Sequence, residues 1–313
     1  MNAIITAATG YTEADLRIFL WSVARNCKNT TVFTIVDRRD RQSIEKICTK
    51  YPFVCPIYID LSIRKQFSRL ANYRTRPVCT WLAQQLSKSK YSTTSRPLRS
   101  LGQLAVRIVH ERFFIALQVL KSQPNVFENV LLTDCRDVVI QQDPFSLVDG
   151  KLVSGIEPEI IRNERYTSKW IEAAYGRDVL NRVVDKPVVC AGVTLGTAAK
   201  VEHYLTELCD EMWRHLPQMI FQDFGYDQAA HIYLIFEKKL ELELTSNQQG
   251  IIATISLEDA AGLALDYNRE LVKVGDRYPA VIHQYDRHPK LLNFFKELAI
   301  EHPAELQSKS NTI

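Results

Sequence analysis

Within its first sixty residues the chain alternates between short β-branched runs and helical spacing, and this rhythm limits the folds open to it. Residues 3–7 (AIITA) read as a short apolar strand ending at Ala8-Thr9-Gly10. Over 12–26, Leu16, Phe19, Leu20 and Val23 fall on one helical stripe, with Thr12 placed to cap it. Residues 31–36 are a second strand ending at Asp37, 40–50 are helical, and 54–59 are a third strand ending at Asp60. Strands separated by helices predict an α/β domain with a mostly parallel sheet. In such sheets ligands bind beyond the carboxyl ends of the strands, where these loop and acidic residues fall.

At 130–140 (VLLTDCRDVVI) an apolar strand runs into Asp134 and Asp137 and then resumes. Acidic residues are poor strand formers, and an ionised carboxylate beside a core is costly unless paired or metal-bound. Two such acids tolerate each other best around a cation. Mg²⁺ and Mn²⁺ favour these hard oxygen ligands and commonly share them with substrate phosphates. On a flat strand, residues three apart point to opposite faces. Either the chain bends at Cys135-Arg136 so that both acids reach one ion, or only one of them does. The competing reading makes Asp134 a strand terminator and pairs Asp137 with Arg136 or another arginine.

The rest of the chain alternates in the same way. A helix is expected over 101–120, with Val106, Val109, Phe113, Ala116, Leu117 and Leu120 on its core face, flanked by Arg107 and Arg112. A turn follows at 142–145, a strand at 151–156, helix over 164–185 and a strand over 187–196 that Gly192 interrupts. Helices are then expected over 198–216 and from Phe224-Gly225-Tyr226-Asp227-Gln228 to about 236, paired strands at 240–244 and 250–255, and a last strand at 280–283.

With 313 residues, 46% of them hydrophobic, the chain is expected to form a single domain over 1–302, followed by a flexible tail at 303–313. It shows neither a secretory leader nor an apolar run of about eighteen residues, and its seven cysteines include no CxxC pair. A cytoplasmic protein with reduced thiols is expected. Its net charge of +3 is unevenly spread, since residues 61–121 carry twelve Lys/Arg and only Glu111 as an acid. That segment should attract an anion, and its 87–97 stretch reads as a polar, mobile loop.

The order of these motifs resembles the GT-A class of nucleotide-sugar glycosyltransferases, and is most similar to glycogenin-like, retaining members. The shared elements are the α/β start, the Arg-bearing helix, the acidic strand, the segment Cys190-Ala191-Gly192-Val193, the Asp227-Gln228 helix start and the late His283. The resemblance implies a GT-A fold, a Rossmann-like mixed sheet flanked by helices. Its nucleotide half would end near residue 140 and its acceptor half span about 141–302.

It further implies that Asp137 holds a divalent metal, with Asp134 touching the metal, its water or the ribose, and His283 completing the shell. Imidazole favours Mn²⁺ over Mg²⁺. Arg287 and Lys290 would clamp the diphosphate, and Arg112, or else Arg107, would grip a phosphate. Ala8 and Thr9 would meet the nucleobase and Asp37 the uracil or ribose. Gly192 would let the sugar approach, although the family's Asn stands here as Cys190. Asp227 and Gln228 would act on the acceptor side, with Asp227 as the base if the enzyme inverts.

The plainer alternatives are a turn role for Asp37 beside Arg38 and Arg39, a helix cap for Asp227, a structural histidine at 283 and a surface role for Arg112. The activity implied is metal-dependent transfer from a UDP- or GDP-linked sugar to a glycan, lipid-linked or protein acceptor. A sugar-nucleotide nucleotidyltransferase ranks second, because the loop after the first strand lacks that family's Gly-rich, basic pattern. A degenerate transferase that no longer holds metal is a further rival, as is a nucleic-acid or membrane-surface binder built on 61–121. Tyr73, Trp81 and Tyr91 are too few to form a stacking platform, so no nucleic acid is expected. Residues 64–99, with Arg64, Arg69, Arg74 and Arg76, are expected to dock an acceptor or an anionic membrane.

Overall fold

The computed structural model describes residues 1–62, 76–104, 106–221 and 225–301. The opening rhythm is realised as β1 (Asn2–Ala7), α1 (Glu13–Asn26), β2 (Thr30–Asp37), α2 (Arg41–Lys50) and β3 (Val54–Ile59). Thr12 caps α1 as expected. Its hydroxyl accepts from the Asp15 N–H while the Asp15 carboxylate accepts from the Thr12 N–H at 2.8 Å, closing a reciprocal cap.

β1 pairs in parallel with β2 on one side and with β4 (Asn129–Thr133) on the other, and β2 pairs in parallel with β3. The parallel expectation stops there. β7 (Pro187–Thr197) runs antiparallel to both β4 and β6 (Leu152–Ile160), and β8 (Glu243–Thr245) lies parallel to β6. The result is a seven-stranded mixed sheet in the order β3-β2-β1-β4-β7-β6-β8.

Helices cover both faces of this sheet. Ala3 and Ile5 of β1 pack on one side, with Phe113–Leu117 of α5 (Ile108–Ser122) and Leu205–Met212 of α8 (Ala198–Arg214). Ile4 points the other way, into a core with Leu16, Phe19 and Leu20 of α1 and Ile44 of α2. Among the described residues no helix is long and apolar enough to cross a membrane.

Several expectations are corrected. The helix over 101–120 is two helices, α4 (Arg96–Gln103) and α5, because the chain is extended at Arg107 (φ −70°, ψ 151°). Gly102 ends α4 directly on the Trp213 ring, where a Cβ would collide. The 87–97 stretch is anchored: Tyr91 is buried, and Ser92 gives its N–H and hydroxyl to Asp210 at 2.7 and 2.8 Å. Just before it, α3 runs over Arg76–Ser87.

Segments 240–244 and 250–255 do not pair. The Asn247 amide takes both the Thr254 N–H (2.9 Å) and C=O (3.0 Å), the groups a hairpin partner would use. β9 (Ile252–Thr254) instead joins β12 (Val281–His283), which also pairs with β5 (Val138–Ile140) in a second, three-stranded sheet.

The helices α6 (Arg165–Tyr175), α7 (Arg177–Val183) and α10 (Tyr226–Phe236) follow the expected order, while the short α9 (Leu216–Phe221) between α8 and α10 is an addition to it. The β10 (Leu263–Asp266)/β11 (Leu271–Val274) hairpin and α11 (Pro289–Glu301) were not expected. Arg64, Arg69, Tyr73, Arg74 and the 303–313 tail lie outside the described residues.

Candidate metal site and its cleft

The acidic segment is a joint between the two sheets. Asp134 makes the last ladder contact of β4, its N–H donating to the Gly192 carbonyl at 2.9 Å. The chain then bends through 134–137, with Cys135 buried and its Sγ 3.4 Å from the Ala7 carbonyl, before β5 enters the second sheet. This bend turns two carboxylates spaced by three positions towards the same point. His283 ends β12 opposite Val138 and closes the group. Ligand atoms of Asp134, Asp137 and His283 all lie within 4.8 Å of one another.

The histidine is oriented for that point. Its Nδ1 lies 3.5 Å from both Cys190 Sγ and Thr254 Oγ1. Its buried Nε2 has no hydrogen-bond partner among the described residues and faces Asp134 Oδ2 at 3.6 Å and Asp137 Oδ2 at 3.8 Å. One imidazole nitrogen and two carboxylates form a donor set suited to Mn²⁺ or Mg²⁺. Gly192 makes room for it: a Cβ there would stand 2.5 Å from His283 Cε1 and 2.9 Å from Asp134 Oδ2.

Electrostatics divide the two acids. Burial works to raise Asp134, but the Arg112 guanidinium and then His283 outweigh it and hold the carboxyl well below the usual range. Burial dominates at Asp137 and moves it up, with His283 opposing and Asp134 adding to the rise. Burial would lower His283, but Cys190 and the two carboxylates carry it well above the ordinary histidine value.

Arg112 pairs with Asp134 through Nη1 and faces Asp227 Oδ2 through Nη2 at 3.5 Å. Its charge is therefore shared between two carboxylates rather than free for a phosphate. His110 Nε2 approaches Asp227 Oδ1 at 3.8 Å. Asp227 is not the helix cap, because Gly225 takes that position and Asp227 lies in the first turn. Gln228 braces β7: its Nε2 donates to the Val189 carbonyl at 2.7 Å and its Oε1 accepts from the Ala191 N–H at 2.9 Å. It thus braces the strand that carries Gly192 while lining one of the site's cavities.

Two cavities meet over these residues. One, of 530 Å³, is lined by Thr9, Tyr11, Arg107, Arg112, Arg136, Asp137 and Arg287. The other, of 330 Å³, is lined by Glu157, Glu164, Tyr166, Gly192, Gln228 and His283. Asp134, Asp227, Arg112 and Trp170 line both.

Three expected residues do not line the cleft. Ala8 is buried, its N–H bonded to the Ile35 carbonyl at 2.8 Å. Asp37 is a turn acid whose carboxylate accepts from Arg39 Nε at 2.8 Å and from the Arg39 N–H at 3.1 Å. Lys290 stands exposed at the start of α11.

Arg136 and Glu157 are additions to the sequence reading. Burial, with Glu164 adding, raises Glu157 to about 6. Its only sequence signal is the same as that of Asp134, an acid at the end of an apolar strand. Neither the family models nor the curated proteins compared with this chain match it.

Proposed function

We propose that this chain is a metal-dependent glycosyltransferase of the GT-A type, moving a sugar from a UDP- or GDP-linked donor to an acceptor hydroxyl. The observation that carries the reading is the convergence of Asp134, Asp137 and His283 beside a cleft lined by arginines. The parallel order β3-β2-β1-β4, continued by an antiparallel β7, supports the same fold class, and the cleft opens at the carboxyl ends of those strands. The three residues would hold Mn²⁺, or Mg²⁺ as second choice. The ion would offset charge developing on a departing diphosphate.

The protein's own groups take the remaining roles. Arg107, Arg136 and Arg287 line the larger cavity and would bind a diphosphate held beside the metal. Arg112 positions Asp134 and Asp227 by pairing with both. Asp227, at the junction of the two cavities, orients the acceptor hydroxyl and takes its proton if the reaction inverts. If the reaction retains configuration, the leaving phosphate takes that proton. Gly192 leaves space at the metal group, and Glu157 and Trp170 line the side assigned to the acceptor.

Hydrolysis of a panel of UDP- and GDP-sugars, with and without Mn²⁺, tests the reading. Metal-dependent release of one nucleoside diphosphate is expected. If no nucleoside diphosphate with metal raises the melting temperature, the reading fails.

A further inference from the structure

One surface of the molecule is not used by the cleft chemistry. Of the thirteen large apolar side chains left exposed among the described residues, five lie on α3 and α4: Val78, Trp81, Leu82, Leu98 and Leu101. Scattered exposed apolar residues need no explanation, but a cluster does. Val78, Trp81 and Leu82 follow i, i+3, i+4 spacing and so share one face of α3, and Leu98 and Leu101 share one face of α4. The two faces meet, because Leu82 and Leu101 line the same shallow apolar groove with Leu86 and Ile220. Trp81 is 56% exposed and Val78 60% exposed, so this is surface and not the rim of a core.

The two helices and their connection carry charge of one sign. Residues 76–104 carry Arg76, Lys88, Lys90, Arg96 and Arg99 and no acid. Lys88, Lys90 and Arg96 are exposed, and Lys90 keeps only a 4.0 Å approach to Asp210. A tryptophan and several leucines framed by lysine and arginine fit the interface of an anionic bilayer. The apolar side chains enter the acyl boundary while the cations meet lipid headgroups. A second copy of the chain fits poorly, since it would set like charges against each other. A nucleic acid fits poorly as well, since the apolar centre offers a single aromatic ring for stacking.

We propose that the α3–α4 face docks the protein on anionic membranes. The same chain runs on within a few residues from α4 to Arg107, which lines the larger cavity. Docking would thus bring the cleft close to lipid.

Flotation of the full chain with phosphatidylcholine vesicles, pure or containing about one third phosphatidylserine, tests this. Binding is expected to the anionic vesicles only, and to weaken as salt is raised. The double variant Trp81→Ser, Leu98→Ser should bind about tenfold or more weakly, and Lys88→Gln and Arg96→Gln about fivefold each. All should keep the wild-type melting temperature and donor hydrolysis. Equal binding to neutral vesicles, no binding at all, or unchanged binding by the double variant overturns the proposal. So does a concentration-dependent dimer, or an RNA complex, that the double variant abolishes.

Discussion

Replacing Gly192 with alanine probes the metal group through one methyl. The added Cβ would lie 2.5 Å from His283 Cε1 and 2.9 Å from both His283 Nε2 and Asp134 Oδ2. Ordinary contact begins at 3.4 Å, so the imidazole must withdraw by about 0.9 Å. It has little room to do so, being buried with Cys190 and Thr254 against its other nitrogen. Metal–ligand bonds tolerate deviations of about 0.2 Å. Overpacking should cost about 1–3 kcal/mol of stability in metal-free protein. Mn²⁺ affinity should fall by about 100-fold, the upper end for displaced ligand support. At Mn²⁺ about 100-fold above the wild-type Kd, wild type gains about 2.7 kcal/mol and the variant about 0.4 kcal/mol. With an unfolding entropy of about 2.1 cal/mol/K per residue, those gains raise Tm by about 4 °C and by less than about 1 °C respectively. Differential scanning fluorimetry with a Mn²⁺ titration reads both. If Gly192→Ala shows the wild-type Mn²⁺ response, His283 does not hold metal beside β7 and the argument for the site fails.

Other substitutions test separate parts of the argument. Asp137→Ala should abolish Mn²⁺ binding in isothermal titration and any metal-dependent turnover, and retained binding would show that Asp137 is not a ligand. Arg112→Met leaves Asp134 and Asp227 without their shared cation; it should cost about 2–3 kcal/mol in urea unfolding, less than a fully buried pair because Asp134 stays partly exposed. Glu157 has its folded value raised from 4.5 to about 6, so its contribution to stability is fully present below pH 4.5 and is lost as pH rises through 6. Metal-free Glu157→Gln should therefore gain up to about 2 kcal/mol on wild type between pH 4.5 and 7, and parallel stability curves would refute the burial. Asn247→Ala strips two hydrogen bonds from the Thr254 backbone and should cost about 2–3 kcal/mol by the same unfolding assay.

What could be read from residues alone was the part governed by local periodicity. β1 to β3 and α1 announce themselves because β-branched runs and helical stripes are short-range signals, and Thr12 caps where expected. The acidic segment was legible as a choice between two geometries. Only long-range pairing decides that choice, since the bend at 134–137 exists because β5 pairs with β12 and not with β7. The role of Arg112 depends on Asp227, a residue far away in sequence, so a phosphate and a carboxylate partner looked alike. Asp37 was decided by its neighbour Arg39, and Gln228 by a strand backbone that no spacing rule reveals. The missed α11 did leave a trace: Pro289 starts it, and Leu291, Phe294, Phe295 and Leu298 repeat at helical intervals.

The joint at 134–137 also has a mechanical consequence. Asp134 belongs to the end of the seven-stranded sheet, while Asp137 and His283 flank the pairing of β5 with β12 in the three-stranded one. A cation held by all three would rivet two separately hydrogen-bonded sheets across a very long chain loop, the kind of closure whose entropy an ion offsets best. Amide exchange in β9 and β12 would then slow together with that in β4 on loading. Rigidity at the cleft would become a quantity that the concentration of free metal sets.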